Sequence, residues 1–411
     1  MYTITYFMLH ILCNIFCVIK KVCLSLQRPN KIVSKKMDNP FIINGYESKD
    51  LFCDREEELQ LILRNCLNRA NMTLTSQRRL GKTGLIFRLF DEIKGAYPNI
   101  QTVYVDIFAS GNMEGFINLF AEAVLSAIPA KSSFGKRLLN YIKSLRPLVT
   151  YDALTGQPQL QIAYQNAQEK EYTLRGLFEF LDGQNIPIAI AFDEFQQIRE
   201  YPEQNMEALL RTYIQQCKNL TFIFSGSKKH IMTDIFANER KPFYASTAFV
   251  SLGKISEERY ADFIRRLFGK GKRSITDEAL QFILDWTRRV TYYTQRLCHT
   301  IYANGKKTID LAEVKSACNQ LLKENESVYL QYRQMMTDKQ WKYLIAVAKE
   351  ESVRQITAAD FLKRYQIGGA SASRQMAESL SEKGLLNAEA TLEGTIYSMG
   401  DVFFSHWLER L

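Results

Sequence analysis

The sequence predicts an α/β protein whose main domain contains a doubly wound parallel sheet. Short apolar runs at 188–192 and 220–224 are typical of strands buried on both faces of such a sheet. Amphipathic segments such as 203–216 alternate with these runs, which favours parallel strands joined by right-handed crossover helices. The third observation is that polar residues follow two of the predicted strands. Open α/β sheets bind their ligands at the carboxyl ends of the strands, so these residues lie where a ligand site is expected.

Residues 74–83 have the composition of a phosphate-binding loop between a strand and a helix. In such loops backbone N–H groups surround the phosphates, a lysine reaches the outer phosphates and a Ser or Thr hydroxyl coordinates magnesium. Lys82 and Thr83 suit these two roles, although Ser76 stands where the full G-x-x-x-x-G-K-[ST] pattern has glycine. The predicted nucleotide-binding residues of the loop are Ser76, Gln77, Arg78, Arg79, Leu80, Gly81, Lys82 and Thr83.

Asp193 and Glu194 directly follow the apolar run at 188–192. We expect them beside the phosphate-binding loop, because the carboxyl ends of parallel strands share one edge of the sheet. Asp193 is then predicted to hold Mg²⁺ together with Thr83, and Glu194 to orient or deprotonate the attacking water. The ordinary explanation of the first motif is a chance loop sequence, and that of the second is a solvated acidic turn. Because both motifs occur in the expected order, the sequence favours a site for ATP and Mg²⁺.

The predicted sheet has further strands at 102–107 and 248–252. The strand at 220–224 is followed by Ser225-Gly226-Ser227. A polar side chain at this strand end is placed to touch the γ-phosphate or the attacking water. Ser225 is therefore predicted to be catalytic, with Ser227 as the alternative, beside Lys82 and Glu194. An ordinary Ser-Gly turn after the strand is an equally acceptable interpretation.

Several motifs together resemble the archaeal-type ATPases of the signal-transduction P-loop class (STAND), relatives of the origin-recognition ATPases within the AAA+ group. The resemblance covers about residues 38–411. Residues 52–59 are similar to the family's F-x-G-R-E-x-E-L box near the adenine, with Asp54 for the glycine. This match implies that Arg55 contacts the nucleotide. Residues 191–196 match the hydrophobic-D-E-[FI]-Q strand end of the family.

Other motifs depart further from the family pattern. Gln77 replaces the proline of the P-R-R-x-G-K-T loop, and residues 287–295 fall where the family has T-G-G-H-P-Y-Y-x-Q in its helical lid. Arg288 and Arg289 replace the two glycines. They are candidates to offer charge to the phosphates, although a solvated helix face explains them better. Arg240 is a comparable candidate for an arginine finger, supplied within the chain or to a neighbouring copy.

The resemblance implies a P-loop NTPase fold with an ATP-hydrolysing core, a helical lid and a C-terminal winged helix-turn-helix. The resemblance also implies that the bound nucleotide is ATP rather than GTP. The function expected is that of an Mg²⁺-dependent ATPase acting as a nucleotide-driven switch; the alternatives are an ATP-modulated DNA-binding regulator and a slow nucleotide timer. The predicted divisions are a leader at 1–37, the ATPase core at 38–253, the helical lid at 254–330 and the winged helix at 331–411.

The third helix of the predicted winged helix, at 371–383, is the one that would face a DNA major groove. Its Arg374, Gln375 and Lys383 suit contacts to bases or phosphates, whereas two glutamates oppose them. Contacts with a protein, or within the chain, are an equally good use of this domain. Self-assembly into a homo-oligomer is a further expectation from the resemblance. The residues predicted to be exposed on this helix are Ser371, Ser373, Arg374, Gln375, Glu378, Ser381, Glu382 and Lys383.

The overall charge of +9 gives little support for nucleic-acid binding, because six Lys and Arg residues at 1–36 leave only +3 for the rest. Residues 1–19 carry none of the four charged residue types, and a basic stretch follows them. This segment has three interpretations: a membrane anchor, a start-site artefact with translation from Met37, or a disordered leader. Eight cysteines at irregular spacing argue against metal or disulfide frameworks. A cytoplasmic protein with reduced thiols is therefore predicted.

Overall fold

The computed structural model describes residues 39–151, 158–164, 166–391 and 393–411. The leader predicted at 1–37 lies outside the described residues. The chain forms two compact units. The first contains Arg55–Ser76 and Lys82–Leu252, and the second contains Asp38–Asp54, Gln77–Gly81 and Gly253–Leu411.

A five-stranded parallel sheet forms the centre of the first unit. Its strands lie in the order β2-β5-β6-β1-β7, and every neighbouring pair is parallel. The remaining two strands, β3 and β4, form a separate antiparallel pair. The seven strands are β1 (Met72–Thr75), β2 (Gln101–Asp106), β3 (Pro147–Tyr151), β4 (Pro158–Ile162), β5 (Ile188–Asp193), β6 (Leu220–Gly226) and β7 (Ala248–Ser251).

The two central strands β5 and β6 are buried along their whole length, which explains why their sequences are continuously apolar. Phe192 stacks on both Phe222 and Phe224 between these strands and the covering helices. The parallel, doubly wound sheet that the sequence predicts is therefore confirmed. The helices of this unit are α1 (Glu56–Leu67), α2 (Lys82–Ala96), α3 (Met113–Ala127), α4 (Ser133–Ser144), α5 (Ala167–Asp182), α6 (Met206–Gln216) and α7 (Lys229–Ala237).

The second unit is mainly helical, and one continuous cluster of buried apolar side chains extends through it. A two-residue parallel ladder joins β8 (Ser274–Ile275) to β9 (Thr308–Ile309). Its helices begin with α8 (Glu257–Lys270), α9 (Asp277–Trp286), α10 (Thr291–Ala303) and α11 (Leu311–Gln334).

The helix α11 crosses the predicted boundary at residue 330, because it continues from Leu311 to Gln334. No glycine or proline interrupts it, and Tyr329 is buried near its end. The predicted division between lid and winged helix thus falls inside one helix.

The end of the second unit has the winged-helix arrangement that the sequence predicts. A three-stranded antiparallel sheet has the order β10-β12-β11, and β10 is the strand that the sequence analysis missed. The elements are α12 (Asp338–Lys349), β10 (Ser352–Val353), α13 (Ala359–Arg364), α14 (Ala370–Glu382), β11 (Leu386–Thr391), β12 (Gly394–Met399) and α15 (Val402–Leu408).

The exposure predicted for α14 is wrong at Ser373. This side chain is fully buried, and its hydroxyl donates to the carbonyl of Ile356 at 2.5 Å and lies 3.2 Å from the hydroxyl of Tyr343, with which it forms a second hydrogen bond. Arg374, Gln375 and Lys383 are exposed, as are the two opposing glutamates, Glu378 and Glu382. The surface of this helix therefore keeps the mixed charge that its sequence indicates. Within the ranges given above, no helix is both long enough and apolar enough to cross a membrane.

Candidate functional site

The sheet register brings the polar strand ends of the first unit to one edge. Asp193 ends β5 and pairs in register with Asp106, which ends the neighbouring strand β2. On the other side, Ser225 near the end of β6 pairs with Leu74 of β1. Because β1 leads into the predicted phosphate-binding loop, the loop and the acidic strand end face the same edge.

A hydrogen bond joins these two motifs directly. The Thr83 hydroxyl, in the first turn of α2, donates to Asp193 Oδ2 at 2.6 Å. The Tyr104 phenol, on β2, donates to the same oxygen at 2.8 Å. The other oxygen, Oδ1, accepts from the backbone N–H of Glu194 at 3.0 Å. The Asp193 carboxylate is thus surrounded by neutral donors.

This surrounding fits a cation. Asp193 is only 3% exposed, and a buried carboxylate is costly unless a positive charge compensates it. Mg²⁺ is usually held by one or two protein ligands together with phosphate oxygens. Over the residues that the structure describes, no group of three acidic, histidine or cysteine side chains could hold a metal by itself. A magnesium ion at Thr83 and Asp193 would take its remaining ligands from water and phosphate oxygens.

Lys82 and Ser76 occupy the two ends of the loop, and both are buried. The lysine Nζ donates to the Ser76 hydroxyl at 3.4 Å. The serine that replaces the glycine of the motif thus contacts the lysine that is predicted to bind the phosphates. Gly81 has φ of 95°, in the left-handed region where glycine is favoured, so this position explains the glycine of the G-K-T sequence.

Residues 77–81 of the loop belong by their contacts to the second unit. Arg79 Nη1 forms an ion pair with Asp401 at 2.8 Å, and its guanidinium lies over the rings of Tyr292 and Tyr293 at 5.0 and 4.9 Å. Gln77 Nε2 donates to Glu389 at 3.1 Å. The side chains of Arg79 and Gln77 therefore form contacts within the second unit, although Arg79, like Arg78, is exposed.

Comparison with solved structures gives the fold. A Walker-type ATPase of Pyrococcus abyssi matches with a TM-score of 0.62 and 17% identity, covering 90% of this chain and 100% of the other. The ORC2 protein of Aeropyrum pernix matches with a TM-score of 0.54 and 14% identity, covering 90% and 96%. The fold is that of an Orc/Cdc6-like P-loop ATPase.

Two further comparisons bear on the C-terminal part. Residues 327–410 match the family described as "Probable winged helix domain". The ORC1 protein of Aeropyrum pernix, solved in complex with DNA, matches with a TM-score of 0.50 and 11% identity, covering 88% of this chain and 93% of the other. No curated protein sequence matches the chain. The sequence-based prediction of a P-loop ATPase fold with a C-terminal winged helix is confirmed.

Three residues that stand where the similar family motifs have glycine adopt a left-handed backbone conformation. Asp54 has φ of 55°, and Arg288 and Arg289 have φ of 51° and 53°. Each residue of this kind costs about 1–2 kcal/mol relative to glycine in the left-handed region. Arg288 is nevertheless held, because its guanidinium forms an ion pair with Glu409 at 3.2 Å and donates to Ser405 at 3.1 Å. This finding corrects the expectation that the Arg288 side chain lies on a solvated helix face.

The other two arginine candidates differ in exposure. Arg55 is only 5% exposed, has φ of 74° and forms an ion pair with Glu58 at 2.9 Å. Arg240 is exposed in the segment after α7. Of the two, only Arg240 therefore presents its side chain to solvent, as an arginine finger requires.

Two polar groups close to Asp193 have altered acidity. Burial raises the pKa of the Tyr104 phenol, and the charge of Asp193 and its hydrogen bond add to this effect. The phenol therefore stays protonated and remains a donor to Asp193. Burial also raises the pKa of Asp106, and the charges of Asp193 and Glu194 act in the same direction, against a hydrogen bond from the N–H of Phe108.

The two serines after β6 differ in their contacts. The Ser225 hydroxyl is buried and has no hydrogen-bond partner in the part of the chain that the structure describes. The Ser227 hydroxyl donates to Glu194 Oε2 at 2.8 Å. Ser225 thus has an unused donor for a bound group, whereas Ser227 already contacts the predicted catalytic glutamate.

Proposed function

We propose that this protein binds ATP with Mg²⁺ and hydrolyses it, acting as a nucleotide-driven switch. The observation that carries the proposal is the 2.6 Å hydrogen bond between Thr83 and Asp193. It joins the start of the helix after the phosphate-binding loop to the acidic strand end. A nearby glutamate, Glu194, completes the set of residue types that phosphoryl transfer to water needs.

Each residue has a defined task in this proposal. Lys82 binds the outer phosphate oxygens, and the backbone N–H groups of 76–83 surround the phosphates at the positive end of α2. Thr83 and Asp193 would hold a magnesium ion, which would supply positive charge to neutralise the phosphates. Ser225 directs its unused hydroxyl to the γ-phosphate or the attacking water.

Glu194 accepts hydrogen bonding from the attacking water. The water oxygen forms a bond to the γ-phosphorus, the bond from that phosphorus to the bridging oxygen breaks, and ADP leaves with the bonding electrons. The water's proton passes to the Glu194 carboxylate or to a phosphate oxygen. Positioning and charge stabilisation are the main contributions in such a reaction, so the fixed placement of these side chains is the relevant property.

A direct assay tests the proposal. The purified full chain is incubated with ATP or GTP, with and without Mg²⁺, and phosphate release is followed over time. We expect turnover with ATP that requires Mg²⁺ and is weaker with GTP. The proposal fails if neither nucleotide is hydrolysed at protein and Mg²⁺ concentrations that saturate binding.

A further prediction concerns Tyr104, which was not among the site residues predicted from the sequence. Loss of its hydroxyl in Tyr104→Phe removes one of the two side-chain donors on Asp193 Oδ2. Changes in such supporting partners typically cost 10–100-fold in metal affinity. We therefore expect the Mg²⁺ concentration for half-maximal binding of a fluorescent ATP analogue to rise about 10-fold.

The control for this change is Tyr97→Phe, because Tyr97 is an exposed tyrosine of the same unit. It should leave the Mg²⁺ requirement unchanged. An unaltered Mg²⁺ titration in Tyr104→Phe would show that its phenol only packs beside the site.

The finer role rests on the family resemblance. Membership of the signal-transduction class and self-assembly belong to the proposal, and a slow nucleotide timer that hardly hydrolyses ATP is the alternative to it. The exposure of Arg240 supports its availability to a neighbouring copy as an arginine finger.

DNA binding through the winged helix is the second candidate. The observation in its favour is that Arg374, Gln375 and Lys383 are exposed on α14, and the similar ORC1 protein was solved with DNA. Under this hypothesis the double change of Arg374 and Lys383 to alanine weakens binding to random duplex DNA about 10-fold and lowers its salt dependence. Lys342→Ala, on the exposed face of α12, is the control. A mobility shift that is insensitive to the double change would exclude this use of α14.

A further inference from the structure

Two side chains to which the proposed function gives no task, Ser227 and Gln196, hold the Glu194 carboxylate. Ser227 Oγ donates to Glu194 Oε2 at 2.8 Å. Gln196 Nε2 donates to the same oxygen. One hydroxyl and one amide, from two different segments, therefore converge on a single carboxylate oxygen.

The local backbone after β5 places Gln196 near the Glu194 carboxylate. Glu194 has φ of 53°, in the left-handed region, and immediately precedes the 3-10 helix Phe195–Glu200. Gln196 follows two residues later and is only 4% exposed, so its amide is enclosed beside the carboxylate.

Gly226 makes room for the same amide. A Cβ at this position would overlap Gln196 Oε1 and would lie 2.5 Å from Met232 Sδ. The glycine between the two serines after β6 is therefore required by close packing. Gln196 Oε1 finds no hydrogen-bond partner within the described chain, so the amide is enclosed with only its N–H₂ group used.

We infer that Gln196 and Ser227 are positioning residues that fix the Glu194 carboxylate for the attacking water. The inference rests on the proposed ATP hydrolysis. Both donors occupy Oε2 and stop rotation of the carboxylate, which directs the other oxygen, Oε1, to the water. Small displacements of a reacting group cost large factors in rate, so the loss of either donor lowers kcat.

The experiment compares steady-state turnover and nucleotide binding in matched variants of the full chain. Ser227→Ala and Gln196→Met each remove one donor while keeping much of the side-chain volume. We expect kcat to fall about 10–100-fold in each, and KM and the affinity for a fluorescent ATP analogue to change less than twofold. Ser227→Thr keeps a hydroxyl and should restore at least about half of the activity. Ser126→Ala, an exposed serine on α3, is the control.

A mutant cycle separates positioning from general structural damage. In a Glu194→Gln background the removal of the Ser227 hydroxyl should have no further effect on turnover, because the group that it positions is already changed. Melting temperatures of all variants show that they are folded. If Gln196→Met does not fold, the Ser227→Ala cycle decides alone.

The outcomes are distinguishable from failure of the proposed function. A wild-type chain that hydrolyses ATP, with unchanged kcat in Ser227→Ala, overturns this inference alone. Additive losses in the cycle also overturn it, and so does a rise in kcat, which would mean that the two donors restrain the glutamate. A wild-type chain without turnover overturns the proposed hydrolysis and this inference together.

Discussion

Replacing Lys82 by alanine is expected to remove most of the affinity for ATP. The lysine is only 6% exposed and contacts Ser76 at the start of the loop, where its charge can meet the outer phosphates. Truncating one partner of a close, desolvated charge pair costs about 2–5 kcal/mol. The dissociation constant of a fluorescent ATP analogue should therefore increase about 30-fold or more, and turnover should fall with it.

The control is Lys94→Ala, because Lys94 is an exposed lysine in the last turn of the same helix, α2. That variant should bind ATP like the wild type. Equal binding by the Lys82→Ala protein would remove the loop from the nucleotide site and contradict the central proposal.

The change of Glu194 to glutamine should separate binding from hydrolysis. Glutamine has nearly the same shape and can still accept hydrogen bonds from Ser227, but it cannot take up a proton from water. General-base groups contribute about 10²–10⁴-fold to rates. Single-turnover phosphate release should therefore slow by about 1,000-fold. The affinity for the ATP analogue should stay within a few-fold of the wild type.

Glu200→Gln is the matched control, since Glu200 is an exposed glutamate at the end of the 3-10 helix that follows Glu194. Its turnover should equal that of the wild type. If the Glu194→Gln protein hydrolysed ATP as fast as the wild type, another group would have to accept the proton. Asp106, which lies beside Asp193 in the sheet register, would then be the next residue to substitute.

The central part of the site could be predicted from sequence because its residues lie at fixed distances from strand and helix ends. Asp193 ends a strand whose apolar run is unbroken, and Thr83 lies one residue after the lysine of the loop. Parallel strands bring these two ends together, so the Thr83–Asp193 contact needs no further information.

Tyr104 and Gln196 could not be found in this way. Tyr104 lies in a half-buried strand of alternating pattern, where an aromatic residue is ordinary. Only the pairing of β2 with β5 reveals that its hydroxyl reaches Asp193. The role of Gln196 likewise depends on how closely Gly226 approaches it, which is a property of tertiary packing.

The incorrect expectations have local physical causes. The sequence favours a solvated helix face for Arg288, but its side chain forms an ion pair with Glu409 at 3.2 Å. Ser373 looked exposed because serine is usually a surface residue, whereas here two hydrogen bonds satisfy its buried hydroxyl. In both cases polar side chains that suit a solvent-exposed position do something else once the helices pack.

The close packing of Gln196 and Met232 around Gly226 predicts how these positions vary among related sequences. Even a methyl group there collides with the amide at 196 and with the thioether of Met232. A larger residue at 226 would be tolerated only with smaller or displaced side chains at 196 and 232. A smaller residue at 196 would also remove the amide that holds the carboxylate of Glu194. Among related chains, positions 196 and 226 should therefore covary, and lineages that lost the glycine should be those that no longer hydrolyse nucleotide.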